Sequence, residues 1–306
     1  MAIFKRIALF LILNLCIVIT VSVITQLLGL NIYLGRHGIN YSHLAIFCMI
    51  WGLGSAFISL ALSRSMAKWF MGVQIIDPAR ASGSEKRLID HVHALARKAG
   101  MRHMPQVGIF SSKSPNAFAT GPSAKRSLVA LSDSLIDTLS EDELGAVIGH
   151  EITHITSGDM ITMTLIQGVI NGFVMFLARI CAYVAAQALS GRSRNSRSSV
   201  SPMVYILFVM LFEVCFMTLG MLLVAAYSRR REFKADTGGA QLTSRPAMAH
   251  ALQAIDRAAK PPKQQGAFDS LQIHTKRGRL LRLLSTHPPI EERVERLQAG
   301  REILST

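Results

Sequence analysis

Four long apolar stretches divide this 306-residue chain, and they set its architecture before any motif is considered. Ile7 to Leu30 runs without a charge for about 24 positions, about 36 Å as a helix and enough to cross a hydrocarbon core of about 30 Å. Leu44 to Leu62 predicts a second, shorter span. Met160 to Leu189 holds one charge, Arg179, and Met203 to Tyr227 holds one, Glu213. Opposite charges on two neighbouring apolar helices invite pairing across a hairpin, because unpaired charge in lipid is costly. Snorkelling of either side chain, or exposure to a groove, is the alternative.

Between these stretches the periodicity changes. Residues 71–140 read as water-compatible: Glu85 to Ala99 predicts an amphipathic helix stopped by Gly100. Val107 to Phe110, Asn116 to Gly121 and Leu128 to Leu131 predict short strands, the last two separated by the polar turn Gly121 to Ser127. Ser140 with Glu143 three residues on is a capping box that opens a helix with Leu144, Val147, Ile148, Ile152 and Ile155 on its apolar face. Gly145, Ala146 and Gly149 are small enough to admit a neighbouring chain, and Gly158 is a stop. Ala247 to Ala259 predicts a helix, Pro261-Pro262 opens a polar loop, and Ile290 to Leu297 forms a charged terminal helix introduced by His287-Pro288-Pro289.

The expected organisation is therefore two membrane helices in 1–70, a first soluble part in 71–159, an apolar hairpin in 160–227 and a second soluble part in 228–306. The fold class is mainly α with a small β-sheet.

Composition supports lipid as a partner. Only 17% of residues are charged while 50% are hydrophobic, and the net charge of +14 comes with no nucleic-acid-binding signature. Nucleic acid is excluded as a partner on that ground. Lys5 and Arg6 precede the first run, Arg64 and Lys68 follow the second, and only Arg36 lies between, which puts both outer flanks in the cytoplasm. The first run is too long for a signal peptide core and lacks a small-residue cleavage pattern. Arg192, Arg194 and Arg197 between the third and fourth runs oppose the usual bias if both runs cross, and a hairpin that dips in or lies on the surface would remove the conflict. Cys16, Cys48, Cys181 and Cys215 all fall in apolar runs without CxxC spacing, so neither a disulfide framework nor a thiolate metal site is expected.

Residues 150–154 read His-Glu-Ile-Thr-His. On a helix His150 and His154 stand one turn apart, with both imidazoles leaving one face about 6 Å from each other. That suits two nitrogen ligands on one Zn²⁺ ion, with Glu151 beside them as general base. A third protein ligand is required, and Glu232 in Arg231-Glu232-Phe233-Lys234-Ala235-Asp236 can supply it. Asp236, one turn on, can accept a hydrogen bond from a ligating imidazole. The competing reading is a juxtamembrane helix whose carboxylates balance nearby arginines. His37, His43, His91, His93, His103, His250 and His274 lack a partner motif and are read as surface or packing residues.

Taken together in this order, these elements resemble the HtpX family of membrane zinc metalloproteases, relatives of the CAAX prenyl endopeptidases. The motifs are the two N-terminal spans, Asn116-Ala117-Phe118, His-Glu-x-x-His followed by Gly158-Asp159, the apolar hairpin, the 231–236 element, and His287-Pro288-Pro289 with Arg293. The resemblance implies membrane-embedded helices plus a cytoplasmic gluzincin-type metalloprotease domain in a bacterial inner membrane. It implies one Zn²⁺ per chain held by His150, His154 and Glu232, with Glu151 catalytic. It also implies that Asn116, Ala117 and Phe118 form an edge strand on which substrate lies extended, by β-augmentation. His287 or Arg293 stabilises an oxyanion or serves only to tie down the last helix. Asp159 orients a ligand or merely follows the helix. Substrates by resemblance are misfolded or damaged membrane proteins.

Two other classes compete. A zinc-binding, chaperone-like membrane module would use the same ligands without cutting, but it has no use for Glu151. A small transporter would use Arg179 and Glu213, but it leaves the soluble insert unexplained.

Overall fold

The computed structural model describes residues 41–190, 202–259 and 285–300. The apolar run Ile7 to Leu30, the arginine-bearing loop 191–201 and the loop opened by Pro261-Pro262 lie outside the described residues. The chain divides into units 1–48 and 49–306. Of the first, only the opening of helix α1 is described.

Three helices carry the apolar runs: α1 (Tyr41–Met71), α5 (Asp159–Ser190) and α6 (Pro202–Leu242). Each is long and apolar enough to cross a bilayer, with mean hydropathies of 2.1, 1.8 and 2.4. α6 begins with Pro202 at its first helical position, where the missing N–H is no loss. It runs for 41 residues without a break, so the apolar run to Tyr227 and the polar element at 231–236 share one rod. Small residues bring the rods together. A Cβ on Gly52 of α1 would lie 2.5 Å from the Gly168 oxygen and the Gly172 nitrogen of α5. A Cβ on Gly220 of α6 would lie 2.6 Å from Ile170 of α5. Such backbone approach is what binds helices in lipid, where apolar burial supplies little drive. Arg179 of α5 donates from Nη1 to Glu213 Oε1 of α6 at 3.0 Å and to the Met175 carbonyl at 2.9 Å, so the two opposite charges do pair across the hairpin.

The remaining elements form a small α/β body. Its sheet has the order β1-β2-β4-β3, with β1 (Gln74–Ile75), β2 (Gln106–Phe110), β3 (Ala117–Thr120) and β4 (Leu128–Ser132). β2 and β4 are parallel, and the outer strands are antiparallel to their neighbours. All five β4 residues are buried, as expected for a continuous apolar strand covered on both faces. One face joins the main core with α2 (Gly83–Lys98) and α4 (Glu141–Thr156). The other face packs Phe110, Leu128, Ala130 and Phe118 around Ala67 and Val73 at the end of α1. β1 and the short helix α3 (Asp133–Thr138) escape sequence reading because neither is long enough to show a period. α3 is instead set by Ser132, whose hydroxyl caps the Leu135 N–H at 3.1 Å.

α4 is the central helix. Ser140 and Glu143 make both capping-box bonds, and Gly158 ends the turn at φ 66°. Ile148, Ile152 and Ile155 are almost wholly buried, each contributing about 1.5–3 kcal/mol by removal from water. α7 (Arg245–Ala259) and α8 (Ile290–Gln298) close the body, with Met248, Leu252, Val294 and Leu297 in its core.

α4 crosses α6 at backbone distance. A Cβ on Gly149 would meet the Gly239 Cα at 3.2 Å, and one on Gly239 would meet the Ala146 oxygen and the His150 nitrogen at 3.0 Å. Gly239→Val is expected to destabilise the protein by about 1–3 kcal/mol, because neither backbone can yield without moving its helix. Gly54→Ala, with nothing within 4 Å of its Cβ, is the matched control. Thermal unfolding in detergent should show a lowered midpoint for the first and an unchanged or raised one for the second.

Candidate metal centre

The crossing of α4 and α6 brings together side chains that are 86 positions apart. His150 and His154 leave one face of α4 with ring centroids 4.7 Å apart and rings at 84°. Their Nε2 atoms lie 3.1 Å apart. From α6, Glu232 places Oε1 3.4 Å from His154 Nε2 and Oε2 3.7 Å from His150 Nε2. One ligand atom from each of the three residues lies within 4.8 Å of the others, a grouping found nowhere else among the described residues.

Each imidazole is held from behind by a carboxylate. His150 Nδ1 donates to Asp236 Oδ1 at 3.0 Å, and His154 Nδ1 donates to Asp159 Oδ2 at 2.6 Å. Each carboxylate is held in turn by an arginine. Arg293 of α8 donates from Nε to Asp236 Oδ2 at 2.7 Å and from Nη2 to Oδ1 at 2.5 Å. Arg231 pairs with the Asp159 carboxylate and donates from Nη1 to the Asp159 carbonyl at 2.9 Å. With the proton of each ring committed to its carboxylate, both Nε2 atoms present bare lone pairs to one another and to Glu232. Three electron-rich atoms converging without a hydrogen between them call for a cation.

The spacing fits one. A tetrahedral Zn²⁺ with ligand bonds of about 2.0–2.1 Å has ligand–ligand edges of about 3.3 Å. The Nε2–Nε2 separation of 3.1 Å and the 3.4 Å from His154 Nε2 to Glu232 Oε1 lie close to that value, and the other carboxylate oxygen is 3.7 Å from His150 Nε2. Two imidazoles and a carboxylate leave the fourth corner free, the pattern of a catalytic rather than a structural site.

The electrostatics favour an ionised carboxylate. Glu232 lies on α6 beyond its apolar run. Burial alone would push its acidity down, but the close imidazole of His154, the hydrogen bond from His287 and the field of His150 outweigh it, and the carboxyl stays well below the usual range. Asp236 behaves likewise: burial opposes its charge, and the bonds from Arg293 and His150 overcome it. Burial opposes the charge of Arg293 too, yet Asp236, Glu232 and Glu151 raise its pKa above the ordinary value.

Glu151, next to His150 on α4, is buried. His287 is the exposed neighbour of Glu232. Its Nδ1 lies 2.6 Å from Glu232 Oε2, and its side chain is 63% exposed against 6% for the glutamate. Ala117 and Phe118 belong to β3, the free edge of the sheet, while Asn116 just before it exchanges hydrogen bonds with Ser132 through its backbone and stays exposed. Arg231 is the group that sequence reading missed as part of the cluster. It sits directly before Glu232, but its position in a run of three arginines disguises a buried anchor as a membrane-flanking charge. His91 and His93 stay outside the cluster: His91 packs against Gly145, and His93 Nε2 bonds the Pro105 carbonyl at 3.1 Å.

The model of peptidase family M48 matches residues 82–301. A protease HtpX homologue of Bacillus velezensis is 43% identical over 303 residues, covering 96% of this chain and 99% of its own. Homologues from Bacillus subtilis and Bordetella petrii are each 42% identical, covering 96% and 98% of this chain. The crystal structure of S. mikatae Ste24p shares the fold with a TM-score of 0.58 at 16% identity, covering 91% of this chain, which spans 64% of that structure's length. The chain belongs to peptidase family M48 and is a membrane metalloprotease of the HtpX type.

Proposed function

We propose that the protein is a zinc-dependent endopeptidase that cuts misfolded or damaged membrane proteins on the cytoplasmic side of a bacterial inner membrane. His150, His154 and Glu232 hold one zinc ion per chain, and Glu151 is the catalytic carboxylate. The single observation that carries this reading is the three-cornered arrangement of Nε2, Nε2 and carboxylate, with each imidazole proton already committed to an aspartate.

Bound zinc supplies Lewis acidity, making a water nucleophilic near neutral pH and polarising a peptide carbonyl. Glu151 accepts the proton of the attacking water and delivers it to the departing amine. Asp236 and Asp159 keep both rings in the ligating tautomer; Arg293 keeps Asp236 ionised, and Arg231 holds Asp159 in place. His287, exposed and joined to Glu232, meets substrate or steadies the glutamate. β3 offers a free strand edge, so an extended substrate can add to it through main-chain bonds while Asn116 and Phe118 contact its side chains.

The cytoplasmic orientation rests on Arg64, Lys68, Arg229 and Arg230 flanking the apolar segments. A transporter reading loses its main support, because Arg179 and Glu213 satisfy one another across the hairpin. The masking of a zinc module without activity as an enzyme is disfavoured by buried Glu151, which no structural site needs.

Glu151→Gln, purified in detergent, should retain about one zinc per chain by metal analysis while casein cleavage falls by at least about 10²-fold. Retained cleavage refutes the assignment. A chelator should abolish wild-type cleavage and added Zn²⁺ should restore it; activity that persists in the metal-free protein contradicts the mechanism. Arg293→Gln should weaken zinc affinity by about 10–100-fold, since it loosens the aspartate that orients His150. A competitive chelator titration reads this directly, and an unchanged affinity would reduce Arg293 to a helix tether.

A further inference from the structure

The strand edge beside α4 is finished by a single hydroxyl. β3 and β4 form a hairpin closed by residues 121–127, so its open end lies at Asn116 and Ala117. At that end β4 runs out, for Ser132 is both its last residue and the N-cap of α3. The carbonyl of an N-cap residue accepts the first bond of its helix, which takes the Ser132 carbonyl away from the ladder. By backbone alone the strand pair would end one bond short, at the point furthest from its turn.

The side chain of Ser132 supplies the missing acceptor. Its Oγ accepts from the Asn116 N–H at 2.9 Å and from the Leu135 N–H at 3.1 Å. The Ser132 N–H donates in turn to the Asn116 carbonyl at 2.9 Å. A hydroxyl has two acceptor sites and one proton. Both acceptor sites are filled, so the proton goes to Ser134 Oγ at 3.2 Å. Ser132 is 0% exposed, so without its oxygen the Asn116 N–H reaches water only if the strand end opens. Pro115, directly before, has no N–H to offer in its place.

This end of β3 is the one an added strand would use. Asn116 bonds Ser132 through both of its backbone groups, and alternation along an antiparallel pair then turns those of Ala117 and Ala119 to the open edge. The Ala117 and Ala119 side chains pack on the core that contains Ile148 and Ile152, and α4 lies against β3. A strand end that frays must be rebuilt each time a polypeptide binds. Affinity then falls by the fraction of time the end is formed, while the bound complex is unchanged.

We propose that Ser132 is a positioning residue for substrate. Its hydroxyl stands in for the carbonyl that α3 has taken, and it keeps the Asn116–Ala117 end of β3 formed before a polypeptide arrives. Ser132 touches neither substrate nor metal, and it acts through the backbone of Asn116. The effect on substrate rests on the peptidase reading above; the hold on the strand end does not.

The test uses the full chain in detergent, with amide hydrogen exchange and casein cleavage as readouts. In Ser132→Ala the Asn116 amide should exchange about 3- to 10-fold faster, while those of Val129 to Leu131 keep their wild-type rates. KM for casein should rise by about the same factor, with kcat within about twofold of wild type and zinc content unchanged. Ser132→Thr, which restores the oxygen, should return both readouts towards wild type. Should Ser132→Ala not fold, Ser132→Cys, similar in shape but a weak acceptor, carries the same expectation. Ser244→Ala is the matched control: it removes a bond to the Ala247 N–H at the start of α7 and should lower the unfolding midpoint without moving KM. Unchanged exchange at Asn116 overturns the proposal. So does faster exchange with unchanged KM, or a rise in KM that Ser244→Ala reproduces. If wild type leaves casein uncut, the peptidase reading fails, and the exchange rates still decide whether the hydroxyl holds the strand.

Discussion

Everything at the centre of this molecule depends on α4 and α6 touching backbone to backbone. Gly149 and Gly239 face each other so closely that even a Cβ at either position would press on the other helix's backbone and shift it by a few tenths of an ångström. The distance matters because the cluster takes two side chains from one helix and one from the other. Side-chain flexibility can absorb a few tenths of an ångström, but a metal–ligand geometry tolerates little more than about 0.2 Å. Gly238 extends the same contact, with a Cβ there falling within 3 Å of Thr153 on α4. The crossing is a positioning device written in absent side chains.

Around that crossing the polar groups form two matching relays, arginine to aspartate to histidine. One runs from α8 through α6 to α4, and the other from α6 through the first residue of α5 to α4. Burial of so much charge is tolerable only because each member is bonded on both sides; removing one partner would leave another uncompensated. The relays also tie together elements remote in the chain. Besides Val294 and Leu297 in the core, α8 is joined to the heart of the cluster by Arg293, and Arg296 stacks over the Phe233 ring at 3.8 Å. Arg229 holds the loop that carries His287 through the Ser285 carbonyl at 3.0 Å.

The membrane helices are part of this machinery as well as its anchor. α6 is at once a lipid-facing rod and the bearer of Glu232 and Asp236, so no flexible joint separates bilayer from cluster. The Arg179–Glu213 pair and the small-residue contacts of Gly52, Gly168 and Gly220 hold α1, α5 and α6 in one bundle. Asp159 then links the start of α5 to the same cluster through His154 and Arg231. Rigidity in lipid is transmitted to the site by helical backbone alone.

Much of this was legible in the chain itself. Helical periodicity located α2, α4, α7 and α8 because each is amphipathic and bounded by a cap or a glycine, and the apolar runs located α1, α5 and α6. The His-Glu-x-x-His spacing dictated that two imidazoles share a face, since helix geometry is local. Elements too short to show a period, β1 and α3, were illegible for the same reason. Glu232 could be named as the third ligand from the order of motifs, but the chain could not disclose what arises between residues far apart: that Arg231 turns inward to Asp159 while Arg229 turns to Ser285, and that α6 continues unbroken from its apolar run into the cluster. Those outcomes follow from burial and hydrogen-bond satisfaction summed over several elements at once, and no local spacing encodes them.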